Sequence, residues 1–209
     1  AKVGVDNLLL DFQADVARVN VFFKNLPDKM VILNVTADGY AGIFEDPNRT
    51  INVTFNHQTA NNTEIVTSRV SRSTVWPFSY NLHVVCDVYI DPSVKLSRLF
   101  VHSGVGQIML NADTATTIQT LSLDTTTGSI EASLAKGVVI TRSVSAKTTT
   151  GSVTFNWEQA DAEGNVSVNL RSTTGTVNLS VTRNTRLSGN VSIDAGTTTG
   201  SVNLAMTIH

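Results

Sequence analysis

The chain of 209 residues holds a single cysteine, Cys86, so no disulfide can form within it. One thiol does not fix the compartment, because many surface proteins of bacteria and archaea lack cysteine. Charge is also scarce. Only 15% of residues are Asp, Glu, Lys or Arg, where about 25% is usual for a soluble domain. Lys and Arg number 15 against 17 Asp and Glu, for a net charge of −2. A nucleic-acid binder needs a basic excess to neutralise phosphates, so that class is excluded. No apolar run is long enough for a bilayer-spanning helix. No Gly-x-Ser-x-Gly step offers a serine nucleophile. The chain begins Ala1-Lys2 without Met, which leads us to expect a removed leader peptide and an extracellular location.

What the sequence does contain is a repeat. The stretches LFVHSGVGQIML from Leu99, LSLDTTTGSIEA from Leu121, VSAKTTTGSVTF from Val144, VNLRSTTGTVNL from Val168 and VSIDAGTTTGSVNL from Val191 share one pattern. Their common glycines are Gly106, Gly128, Gly151, Gly175 and Gly200, at spacings of 22, 23, 24 and 25 residues. Apolar residues alternate before each glycine (Leu121, Leu123) and again after it (Ile130, Ala132), but the parity flips between the two runs. Side chains alternate faces along a strand, so a parity flip demands a bulge or corner, and glycine can adopt the backbone angles required. The β-branched threonines favour strand over helix. The spacing is too short for a strand–helix–strand unit and fits two or three short strands per stacked coil. We therefore expect Leu123, Ala146, Leu170 and Ile193 to line one core.

The first 95 residues read as unrepeated strands. Tyr80, Leu82, Val84, Cys86, Val88 and Ile90 alternate with polar partners before Asp91-Pro92; Val31, Leu33 and Val35 form a second run, and Ile51, Val53 and Phe55 a third. Asp38-Gly39 and Asp46-Pro47-Asn48 read as turns. The fold class expected is all-β, with N-terminal strands and a β-solenoid-like C-terminal half, or alternatively an antiparallel sandwich. The divisions expected are a tail over 1–16, a β region over 17–95 and the repeats over 96–209.

Near the N-terminus Leu8, Leu10, Phe12, Ala14 and Val16 share one face of an extended segment, opposite Asn7, Asp11, Gln13 and Asp15. The parity then slips, and Ala17, Val19, Val21 and Phe23 become the apolar set. No turn signal marks the slip. Two arrangements fit: a strand donated to a neighbouring subunit, or a bulged strand paired within its own chain. A helix over 6–18 is a third. The last segment, with Val202, Leu204, Met206 and Ile208 alternating, is a second candidate donor.

From about Leu82 onward, the Asp91-Pro92-Ser93-Val94-Lys95-Leu96 strand ending and the recurring Thr-Thr-Gly-Ser-Val coils resemble the putative-adhesin family of bacterial and archaeal surface proteins. With its N-terminal strand and its Ser, Thr and sequon content, the whole chain also resembles subunits of archaeal surface threads. That second resemblance implies filaments whose subunits donate a strand to their neighbours. The partners implied are further copies of the chain, and cell surfaces or glycans.

Candidate chemistry is thin. Solenoid glycosidases need paired carboxylates, but the positions two residues beyond Gln107, Ser129, Ser152, Thr176 and Ser201 are Met109, Glu131, Thr154, Asn178 and Asn203, with one acid among them. Asp161-Ala162-Glu163-Gly164-Asn165 loosely resembles a calcium loop without its closing bidentate acid, and reads as a solvated turn. His57, His83, His102 and His209 lack ligand spacing. Neither catalysis, metal nor cofactor is expected. Asn-x-Ser/Thr sequons occur at Asn34, Asn48, Asn52, Asn61, Asn165, Asn178 and Asn190, and we expect glycan at several of them. An extracellular filament subunit joined by strand donation is the first functional reading; a monomeric surface module that binds glycans is the second.

Overall fold

The computed structural model describes residues 5–39, 51–72, 83–183 and 189–208, and among them all regular structure is β. The strands are β1 (Asn7–Val16), β2 (Arg18–Phe23), β3 (Val31–Asp38), β4 (Ile51–Ala60), β5 (Thr63–Arg72), β6 (His83–Ile90), β7 (Lys95–Val105), β8 (Ile108–Ala112), β9 (Thr116–Thr127), β10 (Ile130–Leu134), β11 (Val138–Thr150), β12 (Val153–Glu158), β13 (Asp161–Ala162), β14 (Asn165–Thr174), β15 (Val177–Arg183), β16 (Asn190–Thr199) and β17 (Val202–Ile208).

They form two sheets that face each other. The order is β16-β14-β11-β9-β7-β1-β5-β4 in the first and β17-β15-β12-β10-β8-β2-β6-β3 in the second. Each coil contributes one strand to each sheet, and equivalent strands of successive coils pair in parallel. The solenoid therefore has two strands per coil. The parallel stack also includes β5 with β6 and β1 with β2. It ends in β4 and β3, which pair antiparallel to β5 and β6.

The inward residues form one continuous apolar core between the sheets. One row runs Phe12, Val101, Leu123, Ala146, Leu170. It continues to Ala195, while Ile193 pairs with Val168 in the neighbouring row and packs against the same core. β16 keeps a constant register with β14 from Asn190 to Thr199, so Val191 and Ser192, extra in the sequence repeat, simply pair with Val166 and Ser167.

The corners explain the parity flips. Gly106, Gly128, Gly151, Gly175 and Gly200 stand in one column, with φ between 139 and 144°. A Cβ on Gly128 would lie 1.9 Å from the carbonyl oxygen of Gly106, and each later glycine meets its predecessor in the same way. Only glycine fits, through both its backbone angle and this close approach. Backbone bonds bridge the coils at this point: Gly106 N–H to Thr127 O at 2.8 Å, Gly128 to Thr150 at 2.8 Å, Gly151 to Thr174 at 2.9 Å and Gly175 to Thr199 at 2.9 Å.

The column begins at Ala17. Its carbonyl oxygen lies 2.0 Å from the Cβ position of Gly106, and its N–H donates to Val105 O at 3.0 Å. The N-terminal parity slip is therefore a sixth corner, made without glycine, and β1 and β2 are the two halves of one coil. Leu8, Leu10, Phe12 and Ala14 are at most 1% exposed. Val16, which the alternation placed on the same face, is instead 37% exposed, because it stands at the corner beside Val105. Within this chain β1 fills the slot between β5 and β7 itself.

Candidate interaction surfaces

A ladder of hydroxyls, buried in every coil but the last, runs beneath the corners. Three residues before each glycine stands a Ser or Thr whose hydroxyl donates to the corner carbonyl of the preceding coil. The pairs are Ser103 to Ala17 O (2.9 Å), Thr125 to Gly106 O (3.2 Å), Thr148 to Gly128 O (3.0 Å), Ser172 to Gly151 O (2.8 Å) and Thr197 to Gly175 O (3.1 Å). These positions continue the inward parity of the apolar residues before them. An apolar side chain there would leave a covered carbonyl unpaired, so the hydroxyl is the residue type the corner demands. The sequence signal was present as an invariant Ser or Thr on the core phase of an otherwise apolar run.

The outer face carries asparagine ladders. Asn203 Nδ2 donates to Asn178 Oδ1 at 2.8 Å, and Asn178 Nδ2 to Thr154 Oγ1 at 3.4 Å; Asn190 Nδ2 donates to Asn165 Oδ1 at 3.3 Å. Among the sequon asparagines, Asn34, Asn52, Asn61, Asn165 and Asn190 are exposed and Asn178 is half-buried. Asn61 stands at the tip of the β4–β5 hairpin with φ 48°. Asn48 lies outside the described residues, as do Tyr80, Leu82, His209 and the Asp46-Pro47-Asn48 turn.

Among the described residues the two buried carboxylates are Glu64 and Asp91, and each is taken up by local hydrogen bonds. Glu64 is held by His57 Nδ1 at 2.9 Å and by the Thr59 hydroxyl. Asp91 accepts from Leu26 N–H at 2.6 Å, from Ser93 N–H at 3.0 Å and from the Ser93 hydroxyl, so it fastens the turn before β7. Glu131 projects outward beside Met109 and Thr154. In the calcium-like loop Asp161 and Glu163 are exposed, and no group of three or more His, Cys, Asp or Glu gathers among the described residues. His57 and His102 each face one acid, Glu64 and Asp124, while His83 opens β6. Burial, and secondarily the neighbouring Asp87 charge, push the Cys86 thiol up to about 12. It is an inert core residue. No described helix is long and apolar enough to cross a membrane.

The two ends of the solenoid differ from its body. At one end β17 exposes Val202 (38%), Leu204 (60%) and Met206 (63%); at the other, β4 exposes Val53 (44%) and Phe55 (45%). Equivalent inward positions in the middle coils are buried, for example Val177 and Leu179 beside Val202 and Leu204. β16 and β17 end the sheets on one side, β4 and β3 on the other. Solenoids ordinarily need polar caps at such ends.

No family model matches the chain, and no curated protein matches it. Among solved structures, it is similar to one described as a "putative cell adhesion protein" from Clostridium sporogenes ATCC 15579. That likeness has 7% identity and a TM-score of 0.51, over 97% of this chain and 94% of that one. A "putative adhesin" from Bacteroides fragilis NCTC 9343 matches at 13% identity and a TM-score of 0.32, over 98% and 91%. The first of these likenesses shows a shared fold.

Proposed function

We propose that this chain is a non-enzymatic structural subunit of an extracellular adhesive filament, joined head to tail. The observation that carries this reading is the pair of apolar solenoid ends that no described residue covers. An uncapped sheet edge is a template for pairing with another chain, and unlike ends on one molecule give a heterologous contact that propagates instead of closing. The adhesion description of the structural neighbour from C. sporogenes accords with a surface role. So does the outward display of sequon asparagines.

A second joint has its own support. β1 is the first described strand in the chain, yet it occupies a central slot between β5 and β7. The same slot could take β1 from another copy with every contact preserved, as in domain swapping and strand complementation. In that arrangement Leu8, Leu10, Phe12 and Ala14 would fill the neighbour's core.

Electron microscopy of purified protein across a concentration series tests the filament reading. We expect unbranched fibres of uniform width. A chain that remains monomeric at every concentration, with its fold intact, refutes it and leaves the monomeric surface module in its place.

A further inference from the structure

We propose that the joint between copies is a coaxial stack in which the β16/β17 coil of one molecule seats on the β4/β3 edges of the next, so that both sheets run unbroken through it. The inference rests on the filament reading above and names its contact surface and partner, a second copy of this chain.

Four observations converge. First, both ends present one edge of each sheet, and the two sheets face each other along the whole stack. A molecule placed end on therefore meets β16 with β4 and β17 with β3 at once. Second, the residue rows stay in phase. In the second sheet Leu33, Val88, Val21, Leu110, Ala132, Phe155, Leu179 and Leu204 form a single row from end to end. Continuing the rows across the joint sets Leu33 against Leu204 and Val35 against Val202. The outward row runs from Asn34 to Asn203 in the same way and would set amide against amide. In the first sheet the row through Phe12 runs from Phe55 to Ala195. A large exposed ring thus meets a small residue, which is the alternation close packing favours.

Third, charge is absent where it would be buried. In β4 the one titratable residue is His57, in β3 it is Asp38, on the outward parity of Asn34, and in β16 and β17 together it is Asp194, already paired with Arg171. Edge strands of monomers are ordinarily blunted by lysine, proline or inward charge, and neither edge has these. Fourth, the size suffices. The edge strands of 7 to 10 residues are about 23–33 Å long, and two sheets about 10 Å apart with their side chains give an end face on the order of 600 Å². The joint then buries on the order of 1,200 Å² in all, at the lower limit for specific contacts, and two strand ladders are added to it. The sequon residue Asn34 projects outward, so a glycan there does not enter the core of the joint.

Paired end-blocking variants test this. Leu204→Glu spoils one end and Phe55→Glu the other; both side chains are already exposed, so the fold should survive, as circular dichroism and a cooperative melt will check. Met206→Glu and Val53→Glu serve as second choices at each end. Mass photometry should find each variant monomeric alone, while an equimolar mixture forms dimers and nothing longer, because one good end of each kind remains. Filaments from either variant alone would overturn the coaxial joint while leaving the filament reading intact. Dimers from either variant alone would mean like-to-like ends, and also overturn it. A wild-type chain that never polymerises would overturn both.

Discussion

Replacing Thr125 with Val tests whether the buried hydroxyl ladder contributes to stability. Thr125 is fully buried, and its hydroxyl donates to Gly106 O at 3.2 Å. That carbonyl is roofed by Gly128 of the next coil, whose Cβ position would be 1.9 Å from it. Valine matches threonine in shape but cannot donate, so the carbonyl is left covered and unpaired. Such an orphan costs about 1–3 kcal/mol, and the added methyl offsets up to about 0.8 kcal/mol of this. The net expectation is a loss of about 1–2 kcal/mol, or about 2–8 °C in Tm for a chain of this size. Denaturant melts should show a lower midpoint at unchanged slope. The neighbouring Thr126 is exposed, and Thr126→Val should stay within about 0.5 kcal/mol of wild type. If Thr125→Val were as stable as Thr126→Val, the hydroxyls would be passengers of β-propensity and the ladder argument would fail.

Further outcomes are expected at the glycines, the sequons and Cys86. Gly151→Val should cost more than about 2 kcal/mol, combining a φ of 139° with a Cβ only 2.0 Å from Gly128 O. Gly164→Ala, with φ 77° and nothing within 4 Å, should cost only about 1 kcal/mol in the same denaturant assay. Native material should exceed the 22.4 kDa of the bare polypeptide in intact mass; peptide mapping should find Asn61 modified first and Asn178, tied between Thr154 and Asn203, last. Cys86 should resist thiol reagents until the chain unfolds. Since its folded pKa is raised to about 12, the unfolded thiol ionises first, so its contribution is intact below about pH 8.5 and stability falls as pH rises from there towards 12.

The repeated half was legible because two local signals coincide there, alternation and a glycine at each change of parity. The same change of parity occurs between Val16 and Ala17, but without a glycine it did not announce itself as a corner of the same column. Ala17 does not have a positive φ, so the cue that marks the later corners was absent. The position of the first coil was not legible at all. β1 and β2 lie between β5/β6 and β7/β8, and the chain passes over them on its way from Ile90 to Lys95. Parallel pairing at a sequence separation of about 90 residues leaves no trace in local periodicity. The candidate surfaces follow the same division. Alternation in β17 could be read, but its exposure depends on which coil comes last in the stack.

Bridging β1 to β7 separates the two candidate joints. Gln13 and His102 are register partners on adjacent strands, and both are half-buried. Gln13→Cys with His102→Cys, joined by a cleavable bismaleimide, fixes β1 in its own slot; Cys86 is buried and its raised pKa keeps it out of the reaction. Strand exchange requires β1 to leave that slot. Leu8, Leu10 and Phe12 must then lose their burial, at about 1.5–3 kcal/mol each, against a tethered strand whose effective concentration in its own slot is on the order of millimolar. End-on stacking requires no such opening, since Leu204, Met206 and Phe55 are exposed already. The bridged protein should therefore assemble at the wild-type rate and to the wild-type fibre width, with no change after cleavage of the bridge. If bridging abolishes fibres and cleavage restores them, β1 is the donor strand after all, and the coaxial joint is wrong.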